Sequence, residues 1–562
     1  MRRLALVCCV LTGACGDDGS RPAGDLLLSR VWRSPDLPGC TIATPLATTS
    51  RDAPILVAAT SDGIVLGLSP VDGSELFRVP LPVGDGETSH LAATPALVGH
   101  RLIVAWMGWV GSIDAGRRRH RVGVIDLDTR AFDPAFPTIE LAASVPANDG
   151  TGDVPFLPAH SYSRSRITTA RPFGSTLGRA WVTFGNLRDI QPWHGWVFEL
   201  DLDAWSSGGT AQAAVFLTTP EADCGPKGKS GSVDMICGGG VWSPGGPNVS
   251  IVDDEPELLV ATGNGALDLG RRDYANSILR VHPGLDFDPA CDPTLCADFD
   301  PIDPSLACIE SCRDLFVPRL LPGDPPFDVP DGRCDGKTFF ECYALTDWDL
   351  GANSPARVPL GAGEVVVIPA KDGGVYLADA GHLGTLHDRL QLTAVCGANG
   401  GTCTANWAGT MVTTPAITSA PDGTPVAIIP TFVFDQTNPA GIVALDLIEE
   451  PGAGPRLRKR WEAPRFDDPE AVSRFREHVG RPAIFAPGGI PHAVVVDPGP
   501  DGSDDGILYV VRVEDGAIVG RLGLDGPGRK YLEPIVDDQT VIVGSCEREG
   551  GGPSHLEAWG LE

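Results

Sequence analysis

Long apolar runs are missing from this 562-residue sequence: none reaches eighteen residues, about the minimum for a membrane-crossing helix. Positive charge is scarce as well. Against 73 Asp and Glu stand 43 Lys and Arg, a net charge of -30 that repels nucleic acid and anionic membrane and removes both as expected partners. The sequence has no Gly-x-Ser-x-Gly elbow, no His-Glu-x-x-His helix, no phosphate loop and no Cys-x-x-Cys-His haem attachment site. What abounds is chain breakers. With 69 Gly and 51 Pro spread throughout, long helices are excluded, and many short strands joined by tight turns are favoured.

The amino terminus has a charged start, Met1-Arg2-Arg3, then an apolar run from Leu4 to Leu11 and a small-residue site, Thr12-Gly13-Ala14-Cys15, which together read as a secretory signal. The segment resembles a bacterial lipoprotein signal, with Cys15 as the lipidated residue, although Thr12 stands where that pattern prefers Leu. The expectation is a signal peptide over 1–15, a linker over 16–39 and a body over 40–562 outside the cytoplasm. That body is lipid-anchored to the bacterial envelope, with the outer membrane as destination, or secreted, and it touches membrane only through the lipid anchor. Of 15 cysteines, twelve remain beyond Cys8, Cys9 and Cys15, and an even number in an oxidising compartment implies up to six disulfides. Cys396 and Cys403 make a close pair, and Cys40 with Cys546 would join the two ends of the body. Order alone does not fix the connectivity.

One unit recurs. It opens on a small or polar residue, Pro and an apolar residue, continues through a β-branched run and closes on Asp and a Gly turn. The first copy is Thr44-Pro45-Leu46, then Ile55 to Ala59, Ser61-Asp62-Gly63 to Leu68, and Asp72-Gly73. Further starts are Thr94-Pro95, Ser243-Pro244, Ser354-Pro355, Thr414-Pro415, Arg481-Pro482 and Glu533-Pro534, and a copy without Pro begins near Ile167. These make about eight units of roughly fifty residues, the period of a four-stranded blade. A single blade cannot bury both faces, so the expected fold is an all-β propeller around a central channel. Seven blades stay open because the third copy is degenerate and the last is short; a sandwich or solenoid is the other arrangement of such strands. From 286 to 345 a Cys- and Asp-rich, disulfide-stapled insertion breaks the period between blades four and five.

On Ser61-Asp62-Gly63 and Asp72-Gly73 the unit resembles the repeat of pyrroloquinoline quinone (PQQ) proteins, the quinoprotein alcohol dehydrogenase-like propellers. That repeat is shared by dehydrogenases and by propellers that bind no cofactor, including a lipoprotein scaffold of outer-membrane assembly. The central landmarks follow the order found in quinoprotein dehydrogenases: Gly185-Asn186 to His194-Gly195-Trp196, Gly238-Gly239-Gly240-Val241-Trp242, Ala261-Thr262-Gly263-Asn264-Gly265, Asp347-Trp348-Asp349 and Ala370-Lys371-Asp372-Gly373. The resemblance implies that Trp242 is the floor on which the planar quinone stacks and that Lys371 hydrogen-bonds a quinone oxygen. It further implies that Asn264 and Asp349 ligate calcium, and that Asp349 is the general base on the alcohol. The family's calcium-binding Glu aligns with Ile190, which cannot bind a metal; neighbouring Asp189 substitutes if the loop shifts by one residue. The adjacent-cysteine disulfide that many of these enzymes place over the quinone is missing from the mature chain.

Each of these residues also has a structural explanation. Trp242 and Trp196 can pack between blades, Asn264 can form a turn between glycines, and His194 reads first as a structural histidine. Two functions of different class follow. One is an exported dehydrogenase of alcohols or sugars with PQQ and calcium, needing an external electron acceptor because no haem is attached. The other is a non-catalytic cell-surface propeller that binds an envelope protein or polysaccharide.

Overall fold

A computed structural model of the chain describes residues 26, 28–111, 116–187, 192–220, 238–324, 335–345, 348, 350–392, 413–431, 441–465, 475, 478–499, 505–528, 531, 533–546 and 554–561. Cys15 and the rest of the 1–15 segment, Asp189, Ile190, Asp349, Cys396 and Cys403 lie outside the described residues. No helix among those described is long and apolar enough to cross a membrane.

Each repeat start leads into a strand. The first strands after the starts are Leu46–Ser50, Ala96–Val98, Thr168–Ala170, Asn248–Val252, Ala356–Leu360, Ala416–Ser419, Ala483–Phe485 and Ile535–Asp537. From each one the chain meanders antiparallel, which needs only tight turns between neighbours. Blade one pairs Leu46–Ser50, Ala53–Thr60, Ile64–Leu68 and Glu75–Pro80 in that order. Its two middle strands are buried on both faces and read as continuous apolar runs. Glu75–Pro80 lies at the rim and alternates exposed with buried residues.

Side-chain alternation turns eight such sheets into one ring. In Gly363–Pro369 of blade five, Val365 and Val367 cluster with Ala427 and Ile429 of blade six, whereas Val366 and Ile368 cluster with Leu259 and Ile278 of blade four. In blade seven, Ala493 and Val495 join Val426 and Ile428 of blade six, and Val494 and Val496 join Val541 and Val543 of blade eight. Ile542 and Ala558 of blade eight then meet Leu56 and Ala58 of blade one. Blades one to four are linked by three further clusters of the same kind, so the circle of eight is complete. Each buried Val, Leu or Ile contributes roughly 1.5–3 kcal/mol, which makes the blade contacts the main stabilising term.

Closure uses both ends of the chain. Blade eight orders Ile535–Asp537, Thr540–Gly544, Leu556–Leu561 and, as its rim strand, Leu28–Arg33. Residues 28–33 therefore belong to the propeller and not to a linker over 16–39. Leu28 is buried among residues of blades seven and eight and Trp32 among residues of blades eight and one, on opposite faces of the strand because of the bulge between Arg30 and Trp32. Trp32 Nε1 donates to Pro70 O of blade one at 2.9 Å. The expected Cys40–Cys546 disulfide is present and joins residues 506 positions apart. We predict that a Cys40→Ser, Cys546→Ser double variant loses about 2–4 kcal/mol of stability because its unfolded chain is no longer cross-linked. Urea unfolding measures the loss; an unchanged midpoint would show that the rim strand alone holds the ring.

The acidic insertion is stapled by Cys291–Cys312 and Cys296–Cys308. Its first part lies inside blade four, because Leu315–Phe316 returns to pair with Ile278–Val281 as that blade's fourth strand.

The repeat starts converge at one end of the axis. Thr44 N donates to Thr94 Oγ1 at 3.0 Å, Thr44 Oγ1 donates to Glu533 Oε2 at 3.0 Å, and the Ser243 and Ser354 hydroxyls meet at 2.7 Å. Arg166 of blade three crosses to Glu533 of blade eight at 2.9 Å.

Candidate functional site

The glycine-rich turn between blades three and four is bonded on both sides. Gly195 N donates to Gly238 O at 2.9 Å, Gly239 N donates to Asn264 O at 2.9 Å, and Gly263 N donates to Gly240 O at 2.8 Å. Three landmarks distant in sequence, the His194-Gly195-Trp196 run, the Gly-Gly-Gly-x-Trp turn and the Thr-Gly-Asn turn, thus share one backbone network. Two close approaches require glycine. A Cβ on Gly185 would lie 2.8 Å from Trp242 Cβ, and one on Gly351 would lie 2.4 Å from Gly263 N.

Trp242 is half-buried at the centre of this cradle. Lys371 Nζ sits 4.8 Å from the centroid of its ring, and the Arg164 guanidinium carbon sits 5.2 Å from it. An ammonium or guanidinium over an indole face gains from the ring quadrupole, more so when desolvated. Lys371 is only 4 % exposed. Its hairpin is fixed by the next residue: Asp372 Oδ1 accepts from Gly374 N at 2.8 Å, Asp372 Oδ2 accepts from Tyr376 Oη at 2.6 Å, and Arg389 Nη2 approaches Oδ2 at 3.4 Å. Burial, reinforced by the Asp372 charge, holds the Tyr376 phenol well above its ordinary value, so it remains a donor to that carboxylate.

Of the residues singled out from the sequence, Trp242 and Lys371 come together directly, and the backbone of Asn264 joins the same network with its side chain buried. Asp189 and Asp349 are not described, although Gly351 packs on Gly263 and Trp348 is buried. Trp196 is a packing residue, edge-on to Phe156 and stacked on Phe198. His194 is structural too: Nδ1 donates to Thr219 O at 2.8 Å, and burial lowers its pKa to about 4. Arg164, which sequence reasoning missed, belongs to the Pro-less third start, Arg164-Ser165-Arg166-Ile167.

Buried His120, whose Nε2 contacts Pro158 O and Ser161 O, is likewise lowered to about 4. Both rings stay neutral in the fold down to about pH 4, whereas the unfolded chain protonates near 6.5. The unfolded state binds more protons between those values, so stability is complete above 6.5 and falls as pH drops toward 4. We predict a loss of roughly 2–3 kcal/mol per histidine. Urea midpoints against pH test this; a His194→Gln variant with an undiminished slope would contradict it.

No family model matches the sequence, and no curated protein matches it. Among solved structures, the quinohemoprotein alcohol dehydrogenase of Pseudomonas putida aligns over 95% of this chain and 76% of its own, with TM-score 0.54 and 14% identity. The quinohemoprotein alcohol dehydrogenase of Comamonas testosteroni aligns over the same shares, with TM-score 0.50 and 10% identity. BamB from Moraxella catarrhalis aligns over 95% of this chain and 100% of its own at TM-score 0.45 and 12% identity. The chain has the quinoprotein propeller fold.

In a quinoprotein propeller the implied cofactor is a planar quinone, and the donor set at Trp242 suits one that carries carboxylates. It combines an aromatic face, two cations and a wall of glycine backbone too close for any Cβ. Of the three residues implied as calcium ligands, Asn264 alone is among the described residues. Two groups of three close metal-type ligands occur among those residues, disulfide-bonded Cys291, Cys296 and Cys312, and His100, Asp126 and Asp128; neither includes a residue of this site.

Proposed function

We propose that this chain is an exported quinoprotein propeller that binds PQQ and calcium in its central channel and works as a dehydrogenase of alcohols or sugars. The observation that carries the reading is buried Lys371 held 4.8 Å from Trp242 inside the glycine cradle. Bound PQQ would supply the two-electron acceptor for hydride leaving the alcohol carbon. Trp242 offers the stacking face, and Lys371 places positive charge beside the quinone oxygen. Asn264, Asp189 and Asp349 are the proposed calcium ligands, and Asp349 takes the hydroxyl proton. Onward transfer of the electrons would require an external acceptor, since the sequence has no haem attachment site. Export and lipidation at Cys15 rest on the signal segment, and the three described disulfides suit an oxidising compartment.

The test is dye-linked oxidation of an alcohol panel by protein incubated with calcium and PQQ. Activity in the wild type and its loss in Asp349→Ala are expected. Oxidation unaffected by Asp349→Ala removes the assigned base, and an inactive wild type shifts the reading to a scaffold for an envelope protein.

A further inference from the structure

Beside the Trp242 site lies a cavity of about 180 Å³ at the converging repeat starts. It is lined by Ile42, Thr94, Tyr162, Arg164, Pro244 and Tyr531, among others. At about 30 Å³ per water, the space corresponds to some six waters, enough for one small molecule. Tyr162 is fixed as a wall because His90 Nε2 bonds its hydroxyl at 2.7 Å.

Arg164 is the unusual member. Its guanidinium carbon stands 5.2 Å from the Tyr162 ring centroid and 5.2 Å from that of Trp242. Among the described residues no carboxylate pairs with it, and its buried Nε has no hydrogen-bond partner. The neighbouring acid, Glu533, is engaged through Oε2 by Arg166 at 2.9 Å and Thr44 at 3.0 Å, while its buried Oε1 has no hydrogen-bond partner among the described residues. Arg164 is half-buried, and in a chain where acids outnumber bases 73 to 43 its guanidinium carries a positive charge that no carboxylate among the described residues neutralises. A guanidinium presents parallel N–H groups that match a carboxylate fork, and the two rings and apolar walls suit a flat or hydrocarbon body.

We infer that this cavity is a binding site for a small carboxylate-bearing molecule, with Arg164 as its anion-recognising residue. The cavity shares Arg164 with the donor set at Trp242, but the inference needs no quinone. If the dehydrogenase reading also holds, the substrate class narrows to alcohols that carry a carboxylate.

Isothermal titration of the full chain with benzoate and with its neutral counterpart benzamide, without PQQ or calcium, tests this. Saturable benzoate binding is expected, with benzamide weaker by at least about tenfold. Arg164→Gln should lose benzoate binding by a similar factor, and Arg164→Lys should keep part of it. Equal binding of benzoate and benzamide would overturn the inference, as would wild-type benzoate affinity in Arg164→Gln or no heat of binding to about 10 mM. The ligand comparison on the wild type decides the matter even if a variant misfolds. A failed benzoate titration leaves the quinone reading standing, and the reverse also holds.

Discussion

Replacing Asp372 by Ala is expected to lower stability by about 3–5 kcal/mol, since it leaves buried Arg389 without one of its charge partners and deprives the Tyr376 hydroxyl and Gly374 N–H of their acceptor. Arg389 is 7 % exposed and Asp372 is 1 % exposed, so water cannot replace the lost bonds. Asp324, 3.6 Å from Arg389 Nη1, softens the loss without cancelling it. Asp372→Asn keeps the shape and the acceptor oxygen while removing the charge, and should cost about half as much. Urea unfolding of both variants measures the difference. An Ala variant as stable as the wild type would show that the network is incidental, and Lys371 would then lose its rigid support.

The second large effect concerns Lys371 itself. If its ammonium stabilises charge developing on a quinone oxygen, Lys371→Met should reduce kcat for dye-linked oxidation by about 100- to 1,000-fold. KM for the alcohol should change little, because the lysine acts on the cofactor side. Lys371→Arg should recover part of the rate, since it restores positive charge over Trp242. A Met variant that retains the wild-type rate would remove Lys371 from the reaction and leave it as a packing cation on an indole.

The fold was legible because propeller blades repeat at a fixed period and their starts share a Pro. All seven Pro-marked starts and the Pro-less one near Ile167 precede first strands of blades. Apolar runs such as Ile55 to Ala59 also signalled strands, and that one is buried throughout. The rim strand Leu28–Arg33 was not legible: it is short, far from its partner in sequence and bulged between Arg30 and Trp32. For the candidate site, Trp242 and Lys371 were singled out through the resemblance in landmark order, and the structure brings the two together. Arg164 was hidden in the degenerate third copy, where Arg-Ser-Arg replaces the usual Thr-Pro start. The Asp372–Tyr376–Arg389 network was hidden for a different reason. Tyr376 and Arg389 are cross-strand partners, and their pairing depends on hairpin length and on a bulge between Leu377 and Ala378 that spacing does not reveal.

The central claim is that the Trp242 face within the ring holds a planar quinone. Its most direct test is to incubate the purified chain with calcium and PQQ, remove free quinone by gel filtration and read the quinone absorbance that travels with the protein. The account predicts a stoichiometric amount retained by the wild type and none by Trp242→Ala; retention by neither, or equal retention by both, would contradict it.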